Sequence, residues 1–172
     1  MKIVNIVATV ILNGPLDLNR VYEHLPGSKF PKGGSPWLQY RIQPGNYYTT
    51  FYKSGKFLIT GVVSPEDIRP IADRIISIME NNDVHMKITD IRIHNFVVVD
   101  TIGHEVKFDQ VMASMSNMNV EYEPEQFPAI IIKKDGHSFL LFRSGKIILT
   151  GVKEIESILP ALDWLKKEIN EI

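Results

Sequence analysis

Ser54-Gly55-Lys56-Phe57-Leu58-Ile59-Thr60-Gly61-Val62 recurs 90 residues later as Ser144-Gly145-Lys146-Ile147-Ile148-Leu149-Thr150-Gly151-Val152. The same offset carries Asn5-Ile6-Val7 onto Asn95-Phe96-Val97 and Pro70 onto Pro160. The 172-residue chain is therefore two copies of one unit. Ser-Gly between two apolar runs reads as a tight hairpin turn, and the residues after it read as a strand. In a strand, residues i, i+2 and i+4 share a face. Lys56, Leu58 and Thr60 then point together, as do Lys146, Ile148 and Thr150.

Outward from that segment, each copy reads in the same order. Residues 2–11 alternate around Val4, Ile6, Ala8 and Val10 and predict a half-buried strand. Asp17 opens a short helix with Leu18, Val21, Tyr22 and Leu25 on one side, stopped by Pro26-Gly27. Strands follow at 37–42, 47–53 and 56–62, the first two joined by the turn Pro44-Gly45-Asn46. Ser64 reads as the N-cap of a long helix with Pro65 at its first position and a stripe of Ile68, Ile71, Ala72, Ile75, Ile76 and Met79. The second copy gives strand 92–99, helix 107–115, strands 128–134, 138–143 and 146–152, and helix 154–169. Pro70 and Pro160 fall inside these long helices, where proline removes a hydrogen bond. Either each helix starts later or both are kinked alike.

The repeats occupy 1–91 and 92–172. The bridge Asp83 to Ile91 is too short and apolar for a flexible linker, so the two are expected to form one compact unit with a shared core. Hairpin-linked strands with a few helices predict an α+β fold, a continuous antiparallel sheet with helices on one face.

Composition narrows the function. Hydrophobic residues make up 44% of the chain, enough for a core, and there is no cysteine, which excludes disulfides and thiol catalysis. No apolar run is long enough to span a membrane, and the N-terminus shows no signal peptide. The five histidines, His24, His85, His94, His104 and His137, form no H-x-x-x-H or H-E-x-x-H pattern, and no phosphate loop or G-x-S-x-G is present. No enzyme activity, metal or cofactor is expected. The net charge of −1 counts against a broad electrostatic footprint for nucleic acid.

The uncovered sheet face is more telling. Asn5 with Val7, and Asn95 with Val97, lie on it beside Leu58, Thr60, Ile148 and Thr150. A pseudo-twofold, mostly apolar face with a few amides and hydroxyls suits a pseudo-twofold ligand with a shallow apolar surface. The minor groove of duplex DNA is one, offering only the A N3 and T O2 acceptors at A·T pairs.

These residues resemble the TATA-binding protein family in its short archaeal form. The resemblance spans the chain and rests on the two Asn-x-Val strands, the paired Ser-Gly-Lys-x-x-x-Thr-Gly segments and Leu16-Asp17-Leu18. It also rests on Pro36-Trp37-Leu38-Gln39-Tyr40-Arg41 and, above all, Tyr122-Glu123-Pro124-Glu125-Gln126-Phe127-Pro128. It implies a two-repeat saddle whose underside sits on the minor groove of an A·T-rich promoter. Pairs of aromatic side chains there wedge base steps and bend the duplex. Position by position, minor-groove contacts fall to Asn5, Val7, Leu58, Thr60, Asn95, Val97, Ile148 and Thr150. The second-repeat wedge is Phe127 with Phe142. In the first repeat Tyr52 and Ser35 stand where the family has phenylalanines, while a gap-free alignment of the repeats puts Trp37 opposite Phe127. Phosphate contacts fall to Arg41, Lys56, Lys146 and Lys133, the last replacing the family's arginine. Glu123, Glu125 and Gln126 lie in the loop that receives transcription factor B.

The implied activity is that of a general transcription initiation factor. Its partners would be promoter DNA, a transcription factor B-type protein and RNA polymerase, with a weak homodimer when DNA is absent. The implied location is the cytoplasm and nucleoid, or the nucleus in a eukaryote, with no membrane association. A divergent saddle-fold interaction module with weak or no DNA binding is the alternative. An accessory domain of a DNA-processing enzyme is less favoured, because the repeats fill the chain.

Overall fold

The hairpins read from the sequence organise a computed structural model that describes Met1–Ile172. The elements run β1 (Lys2–Leu12), α1 (Leu18–His24), β2 (Trp37–Ile42), β3 (Tyr47–Tyr52), β4 (Lys56–Val62), α2 (Ile68–Glu80) and β5 (Ile88–Thr101). They continue as α3 (Phe108–Ser114), β6 (Asn119–Glu121), β7 (Ala129–Lys134), β8 (His137–Phe142), β9 (Lys146–Val152) and α4 (Ile158–Asn170). The chain divides into two compact units, Asn5–His94 and Asn95–Ile172 with Met1–Val4.

In the Asn5–His94 unit the strands lie in the order β2-β3-β4-β1, all antiparallel. Phe57 and Ile59 alternate with Leu58 and Thr60 along β4, so one face buries the large side chains and the other does not. Ile6, Ala8, Val10, Leu38, Phe51, Phe57 and Ile59 form the buried face with Ile68, Ile71, Ala72, Ile75 and Met79 of α2. Asp17 caps α1, its carboxylate accepting from Asn19 N–H at 3.0 Å and Arg20 N–H at 3.2 Å.

The second unit repeats the plan as β5-β9-β8-β7-β6. Ile158, Leu162, Leu165 and Ile169 of α4 join Phe139, Leu141, Ile147 and Leu149 in its core, with the Trp164 ring 5.5 Å from Phe139. The α+β class and the helix-covered antiparallel sheet are as read from the sequence.

Four details differ. A 3-10 turn, Pro65–Asp67, precedes α2, so the α-helix starts at Ile68 and Pro70 stands in its first turn. First-turn N–H groups have no intrahelical acceptor, so proline costs no hydrogen bond there. Ile155–Ser157 does the same before α4 and Pro160. Ser64 heads the 3-10 turn and donates its hydroxyl to the Glu66 carboxylate instead of capping the helix. Finally, β5 begins inside the stretch read as a bridge, and β6 is an additional strand pairing Asn119–Glu121 with β7.

Candidate nucleic-acid interface

Cross-strand register lines up the uncovered face in rows. In the first unit Arg41, Tyr48 and Thr60 form one row, Gln39, Thr50, Leu58 and Thr9 the next, and Trp37, Tyr52, Lys56 and Ile11 the last. In the second unit Lys133, Ser138 and Thr150 form the first row, and Ile131, Leu140, Ile148 and Val99 the next. Ala129 opposite Phe142 and Thr101 opposite Lys146 complete it.

The central amides are held by the backbone. β1 bulges between Ile6 and Ala8, and β5 bulges between Phe96 and Val98. Opposite each bulge stands a glycine with positive φ, Gly61 at 95° and Gly151 at 84°. Gly61 N–H donates to Asn5 Oδ1 at 2.7 Å, and Gly151 N–H donates to Asn95 Oδ1 at 2.7 Å. An N–H requires an oxygen opposite it, so the amide orientation is fixed. The oxygen is spent on the backbone and the NH₂ is the end left to donate. Asn95 Nδ2 also lies 3.1 Å from the Thr150 hydroxyl, which joins these two residues across the sheet. Val7, Val97, Leu58 and Ile148 are half-buried around these amides.

The two ends differ. Phe127 is 39% exposed, and its ring lies 6.0 Å from that of the half-buried Phe142 at 64°. The loop before it turns at Glu123, whose carbonyl accepts from Gln126 N–H and Phe127 N–H, each at 2.9 Å. Glu123, Glu125 and Gln126 are exposed. In the first unit Trp37 faces Tyr52 across β2 and β3, as Ala129 faces Phe142. Ser35 thus holds the place of Phe127, two residues before the first pair. The β2–β3 turn spans four residues between Ile42 and Tyr47, whereas two separate Lys134 from His137. That difference is why a gap-free comparison puts Trp37 against Phe127. The Ser35 hydroxyl accepts from Lys32 N–H at 3.1 Å, closing a local turn.

The basic residues are also unequal. Arg41 lies over the Tyr48 ring at 5.2 Å, Lys56 over Tyr52 at 5.7 Å and Lys146 over Phe142 at 5.6 Å. All three are exposed. Lys133 pairs with Glu121 at 2.7 Å. Sequence reasoning missed Glu121, because β6 was not read. It also missed the positioning role of Gly61 and Gly151, although the repeated Thr-Gly was a signal. Gln39 and Thr50 were passed over as well, though period-two spacing from Trp37 and Tyr52 places them on this face.

No cluster of three or more His, Cys, Asp or Glu side chains is arranged to hold a metal ion. His104 bonds the Glu105 carbonyl and Asn170, which raises its pKa. Asp100 pairs with Lys166 at 2.7 Å. Both serve packing against α4. No helix is long and apolar enough to cross a membrane.

Comparison with known proteins agrees with this geometry. The family model described as "Transcription factor TFIID (or TATA-binding protein, TBP)" matches residues 1–82 and 90–172, one match per repeat. The TATA-box-binding protein of Picrophilus torridus is 33% identical over 175 aligned positions, covering 100% of this chain and 95% of that protein. That of Thermoplasma volcanium is 34% identical with the same coverage. The solved structure of Methanococcus jannaschii TBP superposes with a TM-score of 0.88 at 28% identity, covering 99% of this chain and 98% of that one. The family is one of DNA-binding transcription factors, not enzymes. Two repeats, a shared antiparallel fold and full-length similarity place this chain in the TATA-binding protein family.

Proposed function

We propose that the chain is a general transcription initiation factor that binds an A·T-rich promoter element through the minor groove and bends it. The two asparagine amides carry this reading. Glycine N–H groups turn the Asn5 and Asn95 oxygens inward at both bulges, so each amide offers donors from an apolar face. The groove floor at A·T pairs has acceptors only, and guanine's exocyclic amine would oppose such a donor. Val7, Leu58, Thr60, Val97, Ile148 and Thr150 supply the apolar and hydroxyl contacts around them. Lys56, Lys146 and Arg41 engage phosphates, with Lys133 tempered by Glu121. Each repeat, 1–91 and 92–172, takes one half of the element, where cellular DNA is found.

Phe127 and Phe142 are the wedge. Unstacking a base step costs a few kcal/mol, offset by wider contact with the bent duplex. Tyr52 and Trp37 serve the other end less well, and Ser35 cannot wedge at all. Exposed Glu123, Glu125 and Gln126 form the surface for a basic transcription factor B-type partner, which then brings RNA polymerase.

A gel-shift titration on a TATA-containing duplex against a G·C-scrambled one, with salt varied, tests the reading. Preference for the TATA duplex and weakening with salt are expected. Equal binding and a flat salt response would sink it. Phe127→Ala and Phe142→Ala should each abolish most bending in a fluorescence-transfer assay, and unchanged bending would reject the wedge. Ser35 in its turn and the Lys133–Glu121 pair favour one second reading, an interaction module that no longer binds DNA. The flat response would select it.

A further inference from the structure

The open faces of the two units differ most in one row. Ile131, Leu140, Ile148 and Val99 make that row wholly apolar in the second unit. The matching row of the first unit reads Gln39, Thr50, Leu58 and Thr9. Three of four positions exchange an aliphatic side chain for a polar one. The change is also one of depth. Thr50 and Thr9 are only 9% and 7% exposed, whereas Leu140 and Val99 remain half-buried. Threonine is shorter than leucine, so the surface is recessed at Thr50. A hollow of about 720 Å³ opens next to Gln39, over the neighbouring row, with Lys29, Arg41, Tyr48 and Thr60 in its lining. The Gln39 amide is half-buried at the edge of this hollow, and its backbone is fixed by a two-way pairing with Lys29 at 2.8 Å.

In the minor groove, G·C differs from A·T by one feature, the guanine N2 amino group, a donor that stands up from the floor. An aliphatic row pressed on that floor leaves the amine crowded and without an acceptor, which costs what an unmade buried hydrogen bond costs. A recessed row with an amide oxygen and hydroxyls supplies both room and acceptors. We infer that Gln39 and Thr50, assisted by Thr9, make the half-site read by the first repeat tolerant of a G·C pair, while the second repeat excludes one. This rests on the minor-groove reading above and specifies its DNA: an asymmetric element, strictly A·T in one half and mixed in the other.

Binding-site selection from duplexes randomised over the element tests it. The chain has no cysteine, so Glu125→Cys carries a single iron-chelate cleavage label beside Phe127 and marks which half of each site the second repeat covers. Recovered sites should admit G·C only in the half away from cleavage. Gln39→Ile with Thr50→Leu should restore a penalty of about tenfold for G·C there, the usual scale of one mismatched pair. The reciprocal Ile131→Gln with Leu140→Thr should relax the cleaved half, which keeps the test open if the first double variant does not fold. Equal exclusion of G·C from both halves, G·C admitted on the cleaved side, or folded double variants with unchanged discrimination would each overturn the inference and leave A·T-element binding standing. Recovery of no preferred sequence would overturn that reading too.

Discussion

Gly55 and Gly145 occupy the hairpin turns with φ of 80° and 79°, and a methyl group on either would strike backbone: the Gly14 carbonyl in one case, the His104 carbonyl in the other. Gly103 has a similar φ of 98° but open space around it. Gly55→Ala and Gly145→Ala should therefore each cost about 3 kcal/mol in denaturant unfolding, strain plus collision. Gly103→Ala should cost about 1 kcal/mol, the strain alone. The Ser-Gly pair was readable as a turn, but the second strand of chain packed beneath it was not, because nothing local encodes Gly14 or His104. Lys133 gives a second case. It was read as a phosphate contact in place of the family's arginine, and the sequence did not show that Glu121 pairs with it at 2.7 Å. Glu121→Gln should tighten DNA binding and steepen the salt dependence by about one unit of slope.

Among elements, α4 is tied to its sheet by charge as well as by packing. Burial pushes the Asp100 carboxyl up. The Lys166 ammonium, the Met1 ammonium at 3.0 Å and the Thr101 N–H outweigh this and hold it below the usual carboxylate range. A carboxyl whose pKa is depressed by folding stabilises the protein above its unfolded value, about 3.9, and loses that contribution as pH falls through the folded value. Asp100→Asn should lower the Tm by about 5 °C at neutral pH, from about 2 kcal/mol of charged hydrogen bonding. The difference from the parent should shrink below about pH 4. His104, raised by the Glu105 carbonyl and Asn170, acts in the opposite sense and favours acid. Neither tie was legible in the sequence, because nothing local joins Asp100 to Lys166 or His104 to Asn170. The helices themselves were legible, from their apolar stripes, but their starts were not. A 3-10 turn has no apolar period to read, and the prolines were the one local clue. β6 was missed because three residues cannot show alternation.

For the molecule as a whole, a net charge of −1 must coexist with a polyanionic ligand. If the proposed contacts Arg41, Lys56 and Lys146 carry the phosphate attraction, the logarithmic salt slope should be about −3, shallow for a DNA-binding protein. The acidic loop has a separate assignment. Glu123→Arg with Glu125→Arg should leave the DNA titration largely intact and block ternary assembly with a factor B-type protein. Normal ternary complexes would show that the loop is not the contact. The repeat made the fold class and the paired positions of Asn5 and Asn95 legible, since a match repeated at a fixed spacing outweighs any single motif, whereas Phe127 and Phe142 came only from the family resemblance, because Ser35 and Tyr52 break the repeat there. The asymmetry was less legible, because it lies in what faces what across strands.

The β2–β3 turn is longer than its counterpart by two residues, Gln43–Asn46 against Asp135-Gly136. That number is even, and side chains alternate with period two. An even change preserves parity: every residue of β2 keeps the side of the sheet that its counterpart holds, shifted along the chain but never inverted. A slip of the β2–β3 register by one residue would turn Gln39 inward and Leu38 outward. What matters in this architecture is thus register and not turn length as such: loops engineered into either hairpin should be tolerated where the turn itself takes up the added residues, and rejected where a single residue is passed on into the strand.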